Sequence, residues 1–288
     1  VSEPPDASPV ADARGSAVRL RFDKGGCSGV VVAPDLVLSA AHCARGYDGK
    51  GPTKTFYVEE AGRRHDLELV EMGDFDPPED RVSDWMLLRA AALPPNVTVA
   101  RFAERSELEA IARDVSTSIA DRQVPVVAFT YPYRATRSSP RESLAGERLF
   151  ESHGYVKSAR AFKEETLLTL ERGSAYDDAT DGPVPRFAGD VEGSWRDLQH
   201  PVRELAKRYE RDGAPITYHS ADYAPGSSGG GIFLARTGHL LGIIPMGTNV
   251  GDRTKTYVGF GQAYRIDAIC ARSKTLGPLA ACQALADR

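Results

Sequence analysis

The apolar positions of this chain come in short bursts. Between residues 18 and 100 they form the runs VRLRF, GVVVA, LVLSAA, KTFYVEE, HDLELVEM and DWMLLRA, divided by Gly, Pro and Asp. Runs this short, alternating or fully apolar and bounded by turn residues, predict antiparallel strands of a barrel or sandwich rather than helices. A helical stretch follows. Ser106-Glu107-Leu108-Glu109 has capping-box spacing, and Leu108, Ile111 and Ala112 share a face. Residues 103–118 thus bridge two strand-rich halves. Strands resume at 124–130, 152–159, 232–235, 240–245 and 257–264, so the chain reads as mainly β.

The pattern changes between residues 160 and 213. Residues 173–190 read as polar loop, and then Val191, Trp195, Leu198, Val202, Leu205 and Tyr209 recur at spacings of four and three. That is an amphipathic helical stripe, broken in two by Pro201. We read 160–213 as an insertion in the second half. Its apolar stripe is expected to pack on that half, with a lid or an exosite as the alternatives. Residues 1–17, rich in Pro, Ser, Ala and Asp, are expected to be a flexible lead-in. The expected units are therefore 1–17, 18–118, and 119–288 with its insertion.

Composition narrows the function classes. A hydrophobic fraction of 41% and a charged fraction of 26% are those of an ordinary globular protein. The net charge of -4 supplies no attraction toward nucleic acid or an anionic membrane. No apolar run is long enough to span a bilayer. The first residues lack a basic region followed by an apolar stretch, so any signal peptide is already gone. Cys27, Cys43, Cys270 and Cys282 form no close C-x-x-C pair, which argues against zinc. Of three possible pairings, Cys27–Cys43 with Cys270–Cys282 closes two short loops and fits an oxidising compartment; four reduced thiols remain the alternative. No dense acidic loop of calcium-binding pattern occurs, and no metal or organic cofactor is expected.

Three segments carry candidate chemistry. In the first, an apolar strand runs into Ser39-Ala40-Ala41-His42-Cys43, where small residues leave room for an imidazole in a cleft. In the second, Asp84 heads the apolar run Trp85-Met86-Leu87-Leu88. A buried carboxylate there needs a partner, and a histidine N–H is a suitable one. Asp74, Asp76 and Asp80 are rivals, but only Asp84 joins directly to a strand long enough to be buried. In the third, Pro225-Gly226-Ser227-Ser228-Gly229-Gly230-Gly231 precedes the apolar Ile232-Phe233-Leu234. Its glycines permit a sharp turn in which the amides of Gly226 and Ser228 converge as an oxyanion hole. A phosphate loop is excluded, because no Lys and no helix follow the glycines.

Histidine, aspartate and serine in this order, with S-A-A-H-C at 39–43, D-x-x-L-L at 84–88 and G-x-S-G-G at 226–230, resemble the trypsin-like serine peptidases. The resemblance covers residues 18–160 and 215–270. It implies two six-stranded antiparallel β-barrels of the chymotrypsin type with a C-terminal helix; the helical insertion expected in the second barrel at 160–213 has no counterpart in the resemblance. It implies a secreted or periplasmic monomeric endopeptidase with His42, Asp84 and Ser228 as its triad, acting on a protein or peptide substrate.

The chain also departs from the animal trypsins. Ser227 stands where they carry the aspartate that pairs with a new N-terminus, and no I-V-G-G-like start is present. It looks closer to bacterial branches such as the glutamyl endopeptidases and the HtrA-like group. The strand at 242–247 lacks the pocket histidine of the glutamyl enzymes, which argues against glutamate specificity, and His219 and His239 have no assigned role. Asp222 occupies the place of the trypsin pocket floor beside the bulky Tyr223; a structural Asp222 is the competing reading. Pro245, Met246 and Gly247 correspond to the segment that pairs with substrate as a strand, and proline keeps the carbonyl this needs. Two other readings stay open: a catalytically silent protein that binds a partner, and an esterase.

Overall fold

The computed structural model describes residues 9–22, 25–45, 55–60, 62–73, 83–117, 124–132, 148–172, 189–198, 203–204, 207, 216–221, 226–245, 249–251, 257–259 and 261–286. Its first barrel is built from β1 (Ala17–Phe22), β2 (Gly25–Ala33), β3 (Leu36–Ser39), β4 (Phe56–Glu60), β5 (Arg63–Met72) and β6 (Met86–Ala90). These close in the order β1-β2-β3-β6-β5-β4. The second contains β7 (Pro125–Thr130), β8 (Phe150–Lys157), β9 (Ile216–His219), β10 (Gly231–Leu234), β11 (Leu240–Ile243) and, beyond a small hairpin of β12 (Asn249–Gly251) and β13 (Tyr257–Gly259), β14 (Gln262–Arg265). It closes as β10-β11-β14-β9-β8-β7. Taken in chain order, its six strands repeat the path of the first barrel. The sequence shows no repeat to match, so topology is duplicated without recognisable residues. This is the two-barrel chymotrypsin fold.

Burial on two sides explains the continuous apolar runs. Val31, Val37, Met86 and Leu88 fill the interior of the first barrel. Their neighbours Val30, Val32, Leu36, Leu38 and Leu87 point the other way, into a core shared with the second barrel. Strands covered on both faces lose their alternation and read as unbroken apolar segments. At about 1.5–3 kcal/mol for each large side chain taken from water, these three strands weld the barrels together.

Helices fill the edges. Helix α1 (Pro9–Gly15) occupies part of the segment expected to be flexible, and α2 (His42–Arg45) is a single turn. The bridge is α3 (Arg105–Thr117). Its capping box is set two residues earlier than the sequence reading placed it, since Glu107 accepts from the Glu104 amide at 2.8 Å. Leu108 and Ile111 are buried as expected, but Ala112 is exposed. In the insertion lie α4 (Ala159–Arg172) and α5 (Val191–Asp197), between β8 and β9. Phe162 stacks on Tyr218 of β9 at 4.3 Å and meets Trp195 edge-on, so the described part of the insertion packs on the second barrel. Val202, Leu205 and Tyr209 lie outside the described residues. At the C-terminal end α6 (Ile266–Arg272) and α7 (Ala280–Ala286) are joined by the Cys270–Cys282 disulfide. Among the described residues no helix is long and apolar enough to cross a membrane.

Candidate active site

Strand register brings the first two segments together. Strands β3 and β6 are antiparallel, with Leu36 opposite Arg89 and Ser39 opposite Met86. The end of β3 therefore lies beside the start of β6, and the residues just beyond, 40–42 and 83–85, meet over the barrel rim. Asp84 is fully buried there, and His42 is 5% exposed. The His42 ring reaches Asp84 Oδ2 through Nδ1 at 2.8 Å, and the His42 amide donates to Oδ1 at 2.9 Å. Both carboxylate oxygens are thus taken up by a single residue. An ionised carboxylate only accepts, so Nδ1 carries the hydrogen and Nε2 is left as an acceptor.

The Cys27–Cys43 disulfide ties α2 back to β2 and fixes the turn that carries the imidazole. The sulfurs of Cys27 and Cys43 lie close to a His42 ring nitrogen, but both are spent in the disulfide. That cluster is therefore not a metal site. The second expected pairing, Cys270–Cys282, is also present.

The third segment is a tight turn between the barrels. Gly226 and Gly229 have φ of 99° and 78°. At Gly229 a side chain is excluded twice: the backbone is left-handed, and a Cβ would fall on the Ser39 hydroxyl and the Ser28 carbonyl. The turn is latched to the end of β11, because the Gly229 amide donates to Ile244 O at 2.8 Å and the Ile244 amide to Gly230 O at 2.9 Å. Ser228 is partly exposed at its apex, while Ser227 is buried. The Ser227 hydroxyl lies 3.1 Å from that of Thr130.

Several residues that sequence reasoning passed over support this turn. Ser28 of β2 donates its amide to Ser228 O at 2.9 Å and its hydroxyl to Gly226 O at 2.9 Å. The Tyr131 amide donates to the Ser28 hydroxyl at 2.8 Å, and the Ser39 hydroxyl donates to the Ser28 carbonyl at 2.7 Å. The one available signal was a serine inside the apolar strand G-G-C-S-G-V-V-V, since a buried hydroxyl must find a partner.

Of the specificity residues, Pro245 is buried directly after Ile244. Asp222, Tyr223, Met246 and Gly247 lie outside the described residues. His239 pairs with Glu107 of α3 at 2.8 Å, which gives it a structural role. His219 is fully enclosed on β9, and burial pushes its pKa down to about 4, so it is neutral at ordinary pH.

A trypsin-like peptidase domain matches residues 27–243. Among solved structures the chain is similar to the inactive form of the Rv3671c protease, at 18% identity over 96% of this chain and 98% of that one, with a TM-score of 0.47. It is likewise similar to the active form of that protease from M. tuberculosis (18% identity, 98% and 93% covered, TM-score 0.47). A third similar structure is Deg5 (14% identity, 92% and 90% covered, TM-score 0.45). No curated protein sequence matches it.

Proposed function

This chain belongs to the trypsin-like peptidase family, and we propose that it cleaves internal peptide bonds with Ser228 as nucleophile, His42 as general base and Asp84 as the carboxylate that orients the imidazole. The observation that carries this reading is the doubly bonded His42–Asp84 pair, buried at the rim of the first barrel. A carboxylate withdrawn from water is costly to bury without partners. Here one oxygen meets the His42 ring and the other the His42 amide, the pairing that orients an imidazole for proton transfer.

In this mechanism Ser228 Oγ attacks the substrate carbonyl carbon while His42 Nε2 takes the hydroxyl proton. The negative oxygen of the tetrahedral intermediate accepts from the amides of Gly226 and Ser228. The C–N bond then breaks as His42 returns its proton to the leaving amine. Water, deprotonated by the same nitrogen, adds to the acyl carbon, and His42 passes that proton to Ser228 Oγ as the bond to the acyl group breaks. Asp84 keeps Nδ1 protonated throughout and stabilises the imidazolium that forms in each half-reaction. The substrate chain runs as an added strand along Pro245, Met246 and Gly247, with Asp222 and Tyr223 lining the pocket for the residue before the cut. One chain holds all these residues, so the chemistry calls for no residue from a second copy. Two disulfides support a secreted or periplasmic site of action.

The test is a diverse peptide library incubated with the protein and with its Ser228→Ala variant, with cuts mapped by mass spectrometry. Cleavage by the parent alone is the expected result. A preference for Arg or Lys before the cut would make Asp222 the pocket floor, and small or apolar residues there would make it structural. Equal cleavage by both proteins would move the nucleophile elsewhere. Cleavage by neither would leave a silent protein that binds its partner.

A further inference from the structure

Ser28 is 1% exposed, and its polar atoms engage four other residues of the chain. Three of these contacts cross from the first barrel to the second. The direction of each bond follows from chemistry. The Tyr131 amide can only donate, so the Ser28 hydroxyl accepts there and spends its one hydrogen on the Gly226 carbonyl. The Ser28 amide meanwhile holds the Ser228 carbonyl.

Three consecutive peptide units span the turn. Ser28 pins the first, through Gly226 O, and the third, through Ser228 O. The carbonyl of the middle unit, Ser227 O, accepts from the Gly230 amide at 2.9 Å. In a trans peptide the N–H points opposite the C=O, so a middle unit held in this way sends the Ser228 N–H away from Gly230. Among the described residues the Gly226 carbonyl is held by the Ser28 hydroxyl, and freed from it the Gly226–Ser227 unit could rotate about the flexible glycine.

We propose that Ser28 is a positioning residue for the nucleophile turn: its hydroxyl fixes the Gly226 carbonyl so that the Ser228 hydroxyl and the Ser228 amide face the same substrate carbonyl. The proposal rests on the peptidase reading above and adds the residue that aims its nucleophile. A serine that only satisfied the Tyr131 amide would matter for stability and not for rate.

The test uses p-nitrophenyl acetate, an acyl donor with no side chain for a specificity pocket to recognise. The burst of p-nitrophenolate reports acylation, with Ser228→Ala as blank. Ser28→Ala should slow the burst about 10–100-fold, less than the roughly 10²–10³-fold loss of an oxyanion donor itself. The ester concentration at half-maximal rate should stay within about threefold, because the cleft is unchanged. Ser28→Thr and Ser28→Val form the decisive pair, differing only by a hydroxyl against a methyl. Thr should restore the burst to within about threefold of the parent and Val should match Ala, with melting temperatures of the pair alike. Equal bursts from Thr and Val overturn the proposal, as does a change in half-saturation alone. So does failure of Ala and Val to fold while Thr folds, which would make the hydroxyl structural. A parent chain without a Ser228-dependent burst overturns the peptidase reading and this one with it. A parent burst that survives Ser28→Val overturns this one alone.

Discussion

Asp84 accepts from two donors of one residue, and the two are not equivalent. The His42 amide can only donate, so it demands an oxygen at Oδ1, whereas Nδ1 faces Oδ2. In Asp84→Asn the amide oxygen must therefore take the first place and the NH2 group the second. That NH2 donates to Nδ1 and drives the hydrogen to Nε2, the nitrogen proposed to receive the Ser228 proton. Turnover should fall about 10⁴-fold while the fold stays intact. Steady-state kinetics on the best library peptide, beside a melting curve, checks both halves of this. The pairing was legible in sequence because Asp84 adjoins a buried strand and His42 sits among small residues before a cysteine. Ser28 was not, because one serine in an apolar run has no spacing to announce its partners, which lie about 100 and 200 residues away.

Among the elements, the C-terminal helices are held to the first barrel by Glu71 of β5. It accepts from the Ser273 hydroxyl at 2.7 Å and from the amides of Lys274 and Thr275 at 2.8 and 3.0 Å. Partial burial acts to raise its pKa, but these hydrogen bonds outweigh burial and hold the carboxyl below its usual value. A lowered folded pKa means that the stabilisation is present above the unfolded pKa and is lost as pH falls through the folded one. Glu71→Ala should cost about 1–2 kcal/mol at pH 7, modest because the group is partly solvated. The gap between parent and variant should close toward pH 3. Denaturant melts at pH 7, 5 and 3 test this, and a gap that stayed constant would remove Glu71 from the account. Element type was readable wherever strands were short and apolar. It failed at β9, whose mixed residues I-T-Y-H carry no clear period, and at 257–264, read as one strand but split into β13 and β14. Within the lead-in, the helix at Pro9–Gly15 was missed for a related reason. Its composition is that of a loop, yet Ala13 is 1% exposed and Thr98 ties the Asp12 carbonyl to the linker between the barrels.

For the whole molecule, α1 touches both barrels. Pro9 lies against Gly238 in the β10–β11 hairpin, at φ 71°, where a Cβ would collide with the Pro9 carbonyl. Gly238→Ala should lose about 1–2 kcal/mol from the left-handed backbone alone, and should also dislodge α1. Faster proteolysis within residues 9–15, measured by limited digestion, would mark the dislodged helix; a variant with the parent's melting temperature and digestion pattern would contradict it. The duplicated barrel path was invisible in sequence because topology depends on which strands pair, and that is fixed by burial spread over many positions rather than by any repeated residue.

The bond from Ser28 to Gly226 spans 198 positions of the chain, and the latch on the same turn is Ile244. On the ribosome the half that holds His42 and Asp84 emerges before the half that holds Ser228. The turn that carries Ser228 can be latched only after Ile244 has emerged, and residues 226–228 must fold back upon Ser28. A chain broken off before residue 228 carries the His42–Asp84 pair without the proposed nucleophile. On the proposed reading, the order of synthesis thus brings the nucleophile last to the site.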